Sequence, residues 1–338
     1  MTKALFYYAV LVGTVLICCV ICAVYFPRAF GDATPVQQQA APAQENESVQ
    51  AGRDAGDGGS ADAGLQPAAS VCVLLCGTNT SVTVAQEEFV AWAVMGELSP
   101  GFDGEALRAT AVAARTYLLY HQAEERHAQA PQAQICTDSA HCLAAKTPEQ
   151  AVQTWGEQKG TDFYRRVLQA VQATAGQVLT YDGNVIDAVF HAMSRGTTAS
   201  AAQVWGREVP YLVSVTTPEQ EDIPGFVSER EIAFSAWEEQ FGTGALETFY
   251  DGAGRLERIT VGEQTYSGTQ VRAALSLRST DVRVERDDAA GVYRLTVYGA
   301  GHGVGMSQWG ARRLAEAGWD YRAILSHYYP GTALAVQP

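Results

Sequence analysis

One carboxyl group in the chain combines the position and the surroundings of a general acid. Glu97 follows the uncharged residues 89–96 at the C-terminal end of a predicted helix. A helix that is apolar all round is normally buried, and its C-terminal end carries a negative partial charge. Both effects favour the protonated carboxyl and raise its pKa, so the pattern predicts an acid catalyst. The alternative is a solvated glutamate at a frayed helix end.

Arg115 is the only formal charge between residues 109 and 123, on the next predicted helix. An arginine in such a helix either pairs with a buried carboxylate or faces a cleft. Pairing with Glu97 would lower the pKa of that carboxyl, so we expect Arg115 to bind an anionic or polar group of a substrate. A surface arginine whose alkyl stem covers apolar neighbours is the alternative.

Cys136, His141 and Cys142 place two thiols and an imidazole within seven residues. Zinc takes such ligands in tetrahedral sites, and His127, Asp138 or a water would be the fourth. A disulfide between the two cysteines is the competing interpretation if the compartment is oxidising.

Two further segments could contribute to a site. Residues 301–308 form a glycine-rich turn that leads into a predicted helix, where backbone N–H groups can approach a ligand closely. On the residues alone, a plain strand-to-helix turn is the favoured interpretation. Residues 191–198 contain His191 and Ser194. They lack a G-x-S-x-G elbow, and no aspartate is placed behind the histidine, which argues against a serine hydrolase.

Composition excludes some classes of protein. The 338 residues carry 23 Lys and Arg against 37 Asp and Glu, a formal net charge of −14. This balance argues against a nucleic-acid binder, which needs a basic face to displace counterions from phosphates. It also argues against polybasic attachment to anionic lipids.

The chain is predicted to have three parts after a short cytoplasmic N-terminus, residues 1–4. Residues 5–26 are uncharged and would rise about 33 Å as a helix, enough to cross a hydrocarbon core of roughly 30 Å. We interpret them as an uncleaved membrane anchor. Residues 27–69 are acidic and poor in aromatic side chains, which predicts a flexible linker. Residues 70–338 form the folded domain.

The interspersed pattern of strands and helices in that domain predicts an α+β fold. Cys72 and Cys76 are expected to pack in its core. Strands are predicted at 71–75, in a hairpin at 178–190, and at 257–300 around a short helix at 268–277. Helices are predicted from Thr83, with a capping-box-like start, to Glu97, from 105 to about 127 behind the N-cap Asp103, and at 162–175, 228–241, 307–317 and 321–328.

Four motifs of the chain form a recognisable set. They are Val94-Met-Gly-Glu-Leu-Ser-Pro100, Glu105-Ala-Leu-Arg-Ala-Thr-Ala-Val-Ala-Ala-Arg-Thr-Tyr117, Val204-Trp-Gly with Pro210-Tyr-Leu212, and Gly301-His-Gly-Val-Gly-Met-Ser-Gln-Trp-Gly-Ala311 with Ile324-Leu-Ser-His-Tyr-Tyr-Pro-Gly331. They resemble the motifs of the stage II sporulation protein D family. The likeness runs from about residue 70 to 332. The family usually reads Tyr-His-Ser-Thr-Ser-Gly-Gly where this chain has Phe190 and Arg195, so substrate contacts there are expected to differ.

The resemblance implies a lytic transglycosylase that cleaves the bond between N-acetylmuramic acid and N-acetylglucosamine in peptide-stripped peptidoglycan during engulfment of the forming spore. Glu97 matches the catalytic acid, which would then act as base. The resemblance and the loops suggest substrate-binding roles for Arg115, His191, Ser194, His302 and Gln308.

The resemblance also implies surroundings and partners. No cofactor is required for the chemistry, although some relatives hold zinc at a stretch like Cys136, His141 and Cys142, where it would be structural. Expected partners are glycan strands, a cell-wall amidase and a membrane scaffold protein of the engulfment machinery, with the protein in the cell membrane by a single pass and its domain outside the cytoplasm. The alternative is a non-catalytic glycan-binding enhancer of an amidase.

Overall fold

The computed structural model describes residues 69–122, 130–218 and 222–337, and it confirms the α+β class. The predicted membrane span at 5–26, nearly all of the predicted linker at 27–69 and His127 lie outside those residues. In the part of the chain that is described, no helix is both long and apolar enough to cross a membrane.

Helices and strands alternate along the described residues. The helices are α1 (Gln86–Glu97), α2 (Gly104–His121), α3 (Pro148–Trp155), α4 (Glu157–Ala173), α5 (Ala201–Trp205), α6 (Phe234–Phe241), α7 (Gly268–Ala274), α8 (Gln308–Glu316) and α9 (Tyr321–Tyr328). The strands are β1 (Ser70–Leu75), β2 (Thr80–Ala85), β3 (Ile135–Cys136), β4 (Gln177–Tyr181), β5 (Asn184–Val185), β6 (Phe190–His191), β7 (Val227–Ala233), β8 (Leu246–Tyr250), β9 (Leu256–Val261), β10 (Gln264–Ser267), β11 (Val282–Asp287), β12 (Val292–Tyr298), β13 (Met306–Ser307) and β14 (Ala333–Val336).

The strands form several small sheets rather than one large one. Their orders are β2-β1-β3, β14-β4-β5, β13-β6, β11-β12-β7 and β10-β9-β8. Most pairs are antiparallel, whereas β1 with β3 and β13 with β6 run parallel. The parallel β13–β6 pair joins two segments more than a hundred residues apart, and it brings both predicted loop motifs together.

The described residues form two large hydrophobic cores and a small third cluster of Met193, Ile223 and Phe226. The larger core contains α1, α2, α4 and α9, with fully buried side chains such as Phe89, Leu118, Phe163 and Tyr328. The smaller core is built from β7 to β12 with α6 and α7, around Trp237 and Phe241. A helix or sheet buries one apolar face against another element, and the predicted catalytic segment belongs to the larger core.

Two predicted helices begin too early. Residues 80–85 form β2, which pairs with β1 in the register Thr83↔Cys72, because alternating β-branched residues favour a strand over the local capping pattern at Thr83. Residues 227–233 form β7, paired with β12, so only 234–241 of the predicted helix at 228–241 is helical. Cys76 lies past the end of β1 and is exposed, which corrects its expected core position.

Other predictions agree with the structure. Asp103 caps α2, because its Oδ1 accepts hydrogen bonds from the N–H groups of Glu105 and Ala106 at 3.0 and 3.1 Å. The helix ends at His121 rather than near residue 127. The hairpin of β4 and β5 is present, although its second strand is only two residues long and β14 occupies the other side of β4.

Candidate active site

Glu97 is the last residue of α1, a helix whose residues 89–95 are buried in the larger core. The helix stops there because Leu98 turns into extended backbone and Pro100 follows. The N–H of Leu98 still donates to the carbonyl of Val94 at 3.0 Å. Glu97 itself is partly buried, so its carboxyl lies at the edge of the apolar core.

Both carboxyl oxygens of Glu97 accept hydrogen bonds. The backbone N–H of Ala144 donates to Oε1 at 2.8 Å, and the side-chain amide of Gln308 donates to Oε2 at 3.0 Å. Burial raises the pKa of Glu97 above its ordinary value, while these two donors and the charge of Lys146 lower it. Burial is the larger effect, so the carboxyl holds its proton to a higher pH than an exposed glutamate.

Residues 144–146 are pressed against the end of α1 and supply one of those donors. The N–H of Lys146 donates to the carbonyl of Trp92 at 2.9 Å. A Cβ atom on Gly96 would lie 2.4 Å from the backbone atoms of Ala144 and Ala145. Only glycine permits this approach, so Gly96 is needed to place Glu97 against the 144–146 segment.

Gln308 reaches Glu97 because the 301–308 turn folds back beside β6. β13 pairs in parallel with β6, placing Ser307 opposite His191. Gly305 has φ of 71°, and a Cβ there would lie 2.0 Å from the carbonyl oxygen of Val189. Gln308 is buried, so its amide acts on the carboxyl of Glu97 from inside the fold.

His191, Ser194 and His302 hold these loops together. His191 is buried and donates from Nδ1 to the carbonyl of Val304 at 3.1 Å, while its Nε2 lies 2.6 Å from the hydroxyl of Ser194. Burial holds the pKa of His191 well below its ordinary range, so the imidazole is neutral and Nε2 accepts from the serine. The carbonyl behind His191 cannot take the role of a triad carboxylate.

His302 is also engaged with the main chain at both ring nitrogens. Its Nε2 donates to the carbonyl of Phe190 at 3.0 Å, and its Nδ1 accepts from the N–H of Val304 at 3.1 Å. Burial lowers the pKa of His302 to about 4. The sequence predicts substrate binding for both histidines, but the structure places both in main-chain hydrogen bonds.

Arg115 does not face a cleft, which corrects the substrate-binding role predicted for it. Its side chain is fully buried and forms a bidentate ion pair with Glu87, with Nε–Oε1 and Nη2–Oε2 distances of 2.7 and 2.5 Å. The guanidinium also donates to the carbonyls of Gln177 and Val171 at 3.1 and 3.4 Å. It therefore ties α1, α2 and the start of β4 together.

Arg195, which departs from the family pattern, also pairs with side chains of this protein. It forms two hydrogen bonds with Asp281, at 2.9 and 2.6 Å, and lies 3.8 Å from the ring centroid of Tyr298. This arginine joins the 191–198 segment to the smaller core.

Cys136, His141 and Cys142 are brought together as predicted for a metal site. The Nδ1 atom of His141 lies 3.5 Å from the sulfur of Cys136 and 3.3 Å from that of Cys142. Zinc–sulfur and zinc–nitrogen bonds of about 2.3 and 2.0 Å in a tetrahedron require an S–N separation of about 3.5 Å, so the three ligands fit. Among the described residues no disulfide joins the two cysteines, and burial raises the pKa of Cys136 to about 12.

Two contacts at the site could not be predicted from the residue types in the sequence. Ala144 acts through its backbone N–H, and Glu87 is an ordinary first-turn acid until the fold places it against Arg115. The sequence indicated Gln308 by its place in the glycine-rich turn, but not its contact with Glu97.

Together these features define an α+β protein with one partly buried carboxyl group held by two N–H donors. Comparison with known proteins gives its family. Residues 77–181 match a family model described as Stage II sporulation protein, SpoIID. The chain is 31% identical over 275 residues to stage II sporulation protein D of Bacillus amyloliquefaciens, covering 79% of this chain and 78% of that protein.

Two further relatives come from Bacillus subtilis strain 168. Identity is 29% over 270 residues to its stage II sporulation protein D, covering 76% of each chain. It is 26% over 302 residues to a protein named amidase enhancer, covering 71% of this chain and 39% of that protein. The chain belongs to the stage II sporulation protein D family, which confirms the resemblance seen in the motifs.

Proposed function

We propose that the protein is a lytic transglycosylase that cleaves bonds between N-acetylmuramic acid and N-acetylglucosamine in peptide-stripped peptidoglycan. The observation that carries this proposal is the state of Glu97, a partly buried carboxyl whose pKa is raised and whose two oxygens accept N–H donors. Such a group can donate a proton, and its two N–H donors then stabilise the carboxylate that remains.

In the first step, Glu97 donates its proton to the glycosidic oxygen while the bond from C1 of the muramyl sugar to that oxygen breaks. Burial raises the pKa of Glu97 and so favours its protonated form before the reaction. General acid assistance of this kind contributes roughly 10²–10⁴ in rate. The electron pair of the broken bond leaves with the departing sugar, and positive charge develops at C1.

In the second step, the carboxylate of Glu97 accepts the proton of the muramyl 6-hydroxyl as that oxygen bonds to C1. The donors from Ala144 and Gln308 stabilise the carboxylate between the two steps. Retaining glycosidases need a second carboxyl as nucleophile, whereas here the sugar supplies its own. The product ends in a 1,6-anhydro ring, and no water is consumed.

Cys136, His141 and Cys142 would hold a structural zinc ion, with the fourth ligand outside this trio. Zinc would fix the 136–142 turn, two residues before Ala144. It would supply no chemistry to the glycosidic bond, because the proposed steps use only Glu97 and the sugar. We extend the proposal to a single-pass protein of the cell membrane, anchored by residues 5–26, that works with a cell-wall amidase and a membrane scaffold protein on glycan strands.

A second candidate function is non-catalytic enhancement of an amidase. It is favoured by the relative named amidase enhancer. The Glu97→Gln variant separates the two functions. As a transglycosylase it releases no anhydromuramyl products, and any stimulation of an amidase that depends on cleavage is lost. As an enhancer, the same variant stimulates the amidase as well as the unaltered protein does.

A further inference from the structure

The trio of Cys136, His141 and Cys142 supplies three of the four ligands that a structural zinc site requires. The ligand atoms of the trio lie within 4.8 Å of one another. Both cysteines are buried, whereas His141 is exposed, so the cluster lies at the surface of the fold. A fourth ligand can therefore approach from the exposed side.

The turn that carries the trio uses its own carboxylate for another purpose. The carbonyl of Asp138 accepts from the N–H groups of His141 and Cys142 at 3.1 and 2.7 Å, and its Oδ1 accepts from the N–H of Ala140 at 2.9 Å. These contacts hold His141 and Cys142 in place. Because the side chain of Asp138 closes the turn, the fourth position is left to a ligand from another segment.

Cys76 is brought to this turn by the pairing of β1 with β3. The two strands run parallel, with Leu74 opposite Cys136, and the N–H of Thr137 donates to the carbonyl of Leu74 at 3.1 Å. One step further along, the N–H of Cys76 donates to the hydroxyl of Thr137 at 3.1 Å. Cys76 therefore lies beside the residue that follows Cys136, although Cys76 and Thr137 are 61 residues apart in the chain.

The thiol of Cys76 lies close enough to that of Cys136 for their charges to interact. Burial is the main cause of the raised pKa of Cys136, and the charges of Cys142 and Cys76 add to it. Adjacent strands lie about 4.8 Å apart, and tetrahedral zinc–sulfur bonds of about 2.3 Å place two sulfurs about 3.8 Å apart. Cysteines on two such neighbouring segments can therefore share one ion.

Ligation by Cys76 requires a rotation of its side chain. Its sulfur faces the carbonyl of Leu74 at 3.9 Å, a weak S–H···O contact, and is not among the clustered ligand atoms. Cys76 is exposed, and the position of the next residue, Gly77, is open, since a Cβ there would meet nothing within 4 Å. The thiol can therefore change rotamer without displacing packed neighbours.

We propose that Cys76 is the fourth ligand, so that the protein holds zinc through three cysteine thiolates and one histidine. This set is one of the ordinary ligand sets of structural zinc. The ion ties the loop after β1 to the 136–142 turn, two residues before Ala144, whose N–H binds Glu97. The inference rests on the structural zinc proposed for Cys136, His141 and Cys142, and it does not depend on the reaction proposed for Glu97.

The test is the absorption spectrum of the full-length protein loaded with cobalt(II), an ion that takes the same ligands as zinc. The sulfur-to-cobalt charge-transfer band grows with each thiolate bound, and we expect three thiolates in the unaltered protein and two in Cys76→Ser. Zinc affinity, measured by competition with a chelator, should fall at least tenfold in Cys76→Ser, because even the loss of a partner that only orients a ligand costs about 10–100-fold in metal affinity.

Cys72→Ser is the matched control, because Cys72 is a cysteine of β1 outside the trio. It should leave both the cobalt band and the zinc affinity unchanged. His127→Ala and Asp138→Asn address the other candidate ligands and should also leave both unchanged. The three cysteines within residues 5–26 are present in every variant, so differences between spectra cancel any cobalt that they bind.

An unchanged cobalt band in Cys76→Ser would overturn the inference, and so would an equal loss in Cys72→Ser. A smaller band in His127→Ala, with Cys76→Ser unchanged, would give the fourth position to His127 and overturn the inference as well. If the unaltered protein binds neither metal, the zinc proposed for the trio fails and this inference fails with it. Release of anhydromuramyl products is a separate measurement, and its outcome contradicts only the reaction proposed for Glu97.

Discussion

The backbone N–H of Ala144 lies 2.8 Å from Oε1 of Glu97 and fixes the orientation of that carboxyl. The contact exists because Gly96, the residue before Glu97, has no side chain to hold the 144–146 segment away. The acid, its donor and the glycine therefore form one arrangement, in which the donor comes from a segment 47 residues away in sequence.

Gly96→Ala should displace the donor and impair catalysis. The new Cβ would lie 2.4 Å from backbone atoms of Ala144 and Ala145, and backbone cannot yield as a side-chain tip does. Overpacking of this kind costs typically 1–3 kcal/mol, and a misplacement of about 1 Å can lower the rate about 10²-fold. Unfolding in urea and the rate of strand cleavage measure the two effects.

Gly104→Ala is the matched control for that variant. A Cβ at Gly104 meets nothing within 4 Å, and alanine is the better helix former at the start of α2. Stability should be unchanged or slightly higher and cleavage unaffected. If Gly96→Ala and Gly104→Ala have the same stability and the same cleavage rate, Gly96 is not needed to position Glu97 against Ala144.

Gln308→Leu should raise the pKa of Glu97 further, because it removes a donor that stabilises the carboxylate. The first step needs the protonated acid, so kcat/KM falls as the pH rises through this pKa. The variant should therefore move the falling side of the pH profile to higher pH. Lys146→Gln should move it in the same direction, because it removes a positive charge. A shift to lower pH in either variant would rule out Glu97 as the titrating acid.

Glu87→Ala should destabilise the fold more than Arg115→Met does. The first variant leaves the guanidinium of Arg115 buried without its partner, which costs about 3–5 kcal/mol, nearer the lower figure because Glu87 is 38% exposed. The second removes the charge itself and mainly loses hydrogen bonds, about 1–3 kcal/mol. The double variant should resemble Arg115→Met in urea unfolding. An Arg115→Met protein of unaltered stability that no longer binds glycan would restore the predicted substrate role.

Acidification should weaken the fold between pH 6.5 and about 4 through His302. Burial lowers the pKa of His302 from 6.5 to about 4. As the pH falls, the unfolded chain therefore binds a proton before the folded protein does, and the free energy of unfolding decreases between pH 6.5 and about 4. His191 also has a lowered pKa, so it too makes the protein less stable as the pH falls. Glu97 has a raised pKa and the opposite effect, because it makes the protein less stable as the pH rises above the ordinary pKa of a glutamate. His302→Asn should reduce the loss of unfolding free energy between pH 7 and pH 4.5. An equal loss of unfolding free energy in His302→Asn and the unaltered protein, in the same buffers, would contradict the lowered pKa of His302.

Zinc should bind the full-length protein in a one-to-one ratio through Cys136, His141 and Cys142. The two sulfur–nitrogen distances match tetrahedral coordination, and removal of the metal should lower the melting temperature because a structural ion stabilises only the folded state. Elemental analysis of the unaltered protein and of Cys136→Ser measures the content. Cys72→Ser, at a partly buried thiol outside the trio, should keep its zinc. Zinc retained in full by Cys136→Ser would exclude these ligands.

Local sequence signals predicted the elements that carry the site better than the contacts made within it. The apolar run before Glu97 indicated a buried helix end, and Asp103 indicated the start of α2. Contacts between distant segments were not predictable, because a backbone donor such as Ala144 has no sequence signature. The partner of Arg115 also depended on how α1 and α2 pack. Thr83 was misread because a capping pattern is local, whereas β2 is decided by its pairing with β1.

The most direct test of the account is mass spectrometry of the fragments released from purified, amidase-treated glycan strands by the full-length protein and by Glu97→Gln. We expect fragments ending in 1,6-anhydro-N-acetylmuramic acid, each one water lighter than a hydrolysed end, and none from the variant. The variant should unfold at the same temperature as the unaltered protein or higher, because the ionised Glu97 is disfavoured by burial. Anhydro products from Glu97→Gln, or only hydrolysed ends from the unaltered protein, would contradict it.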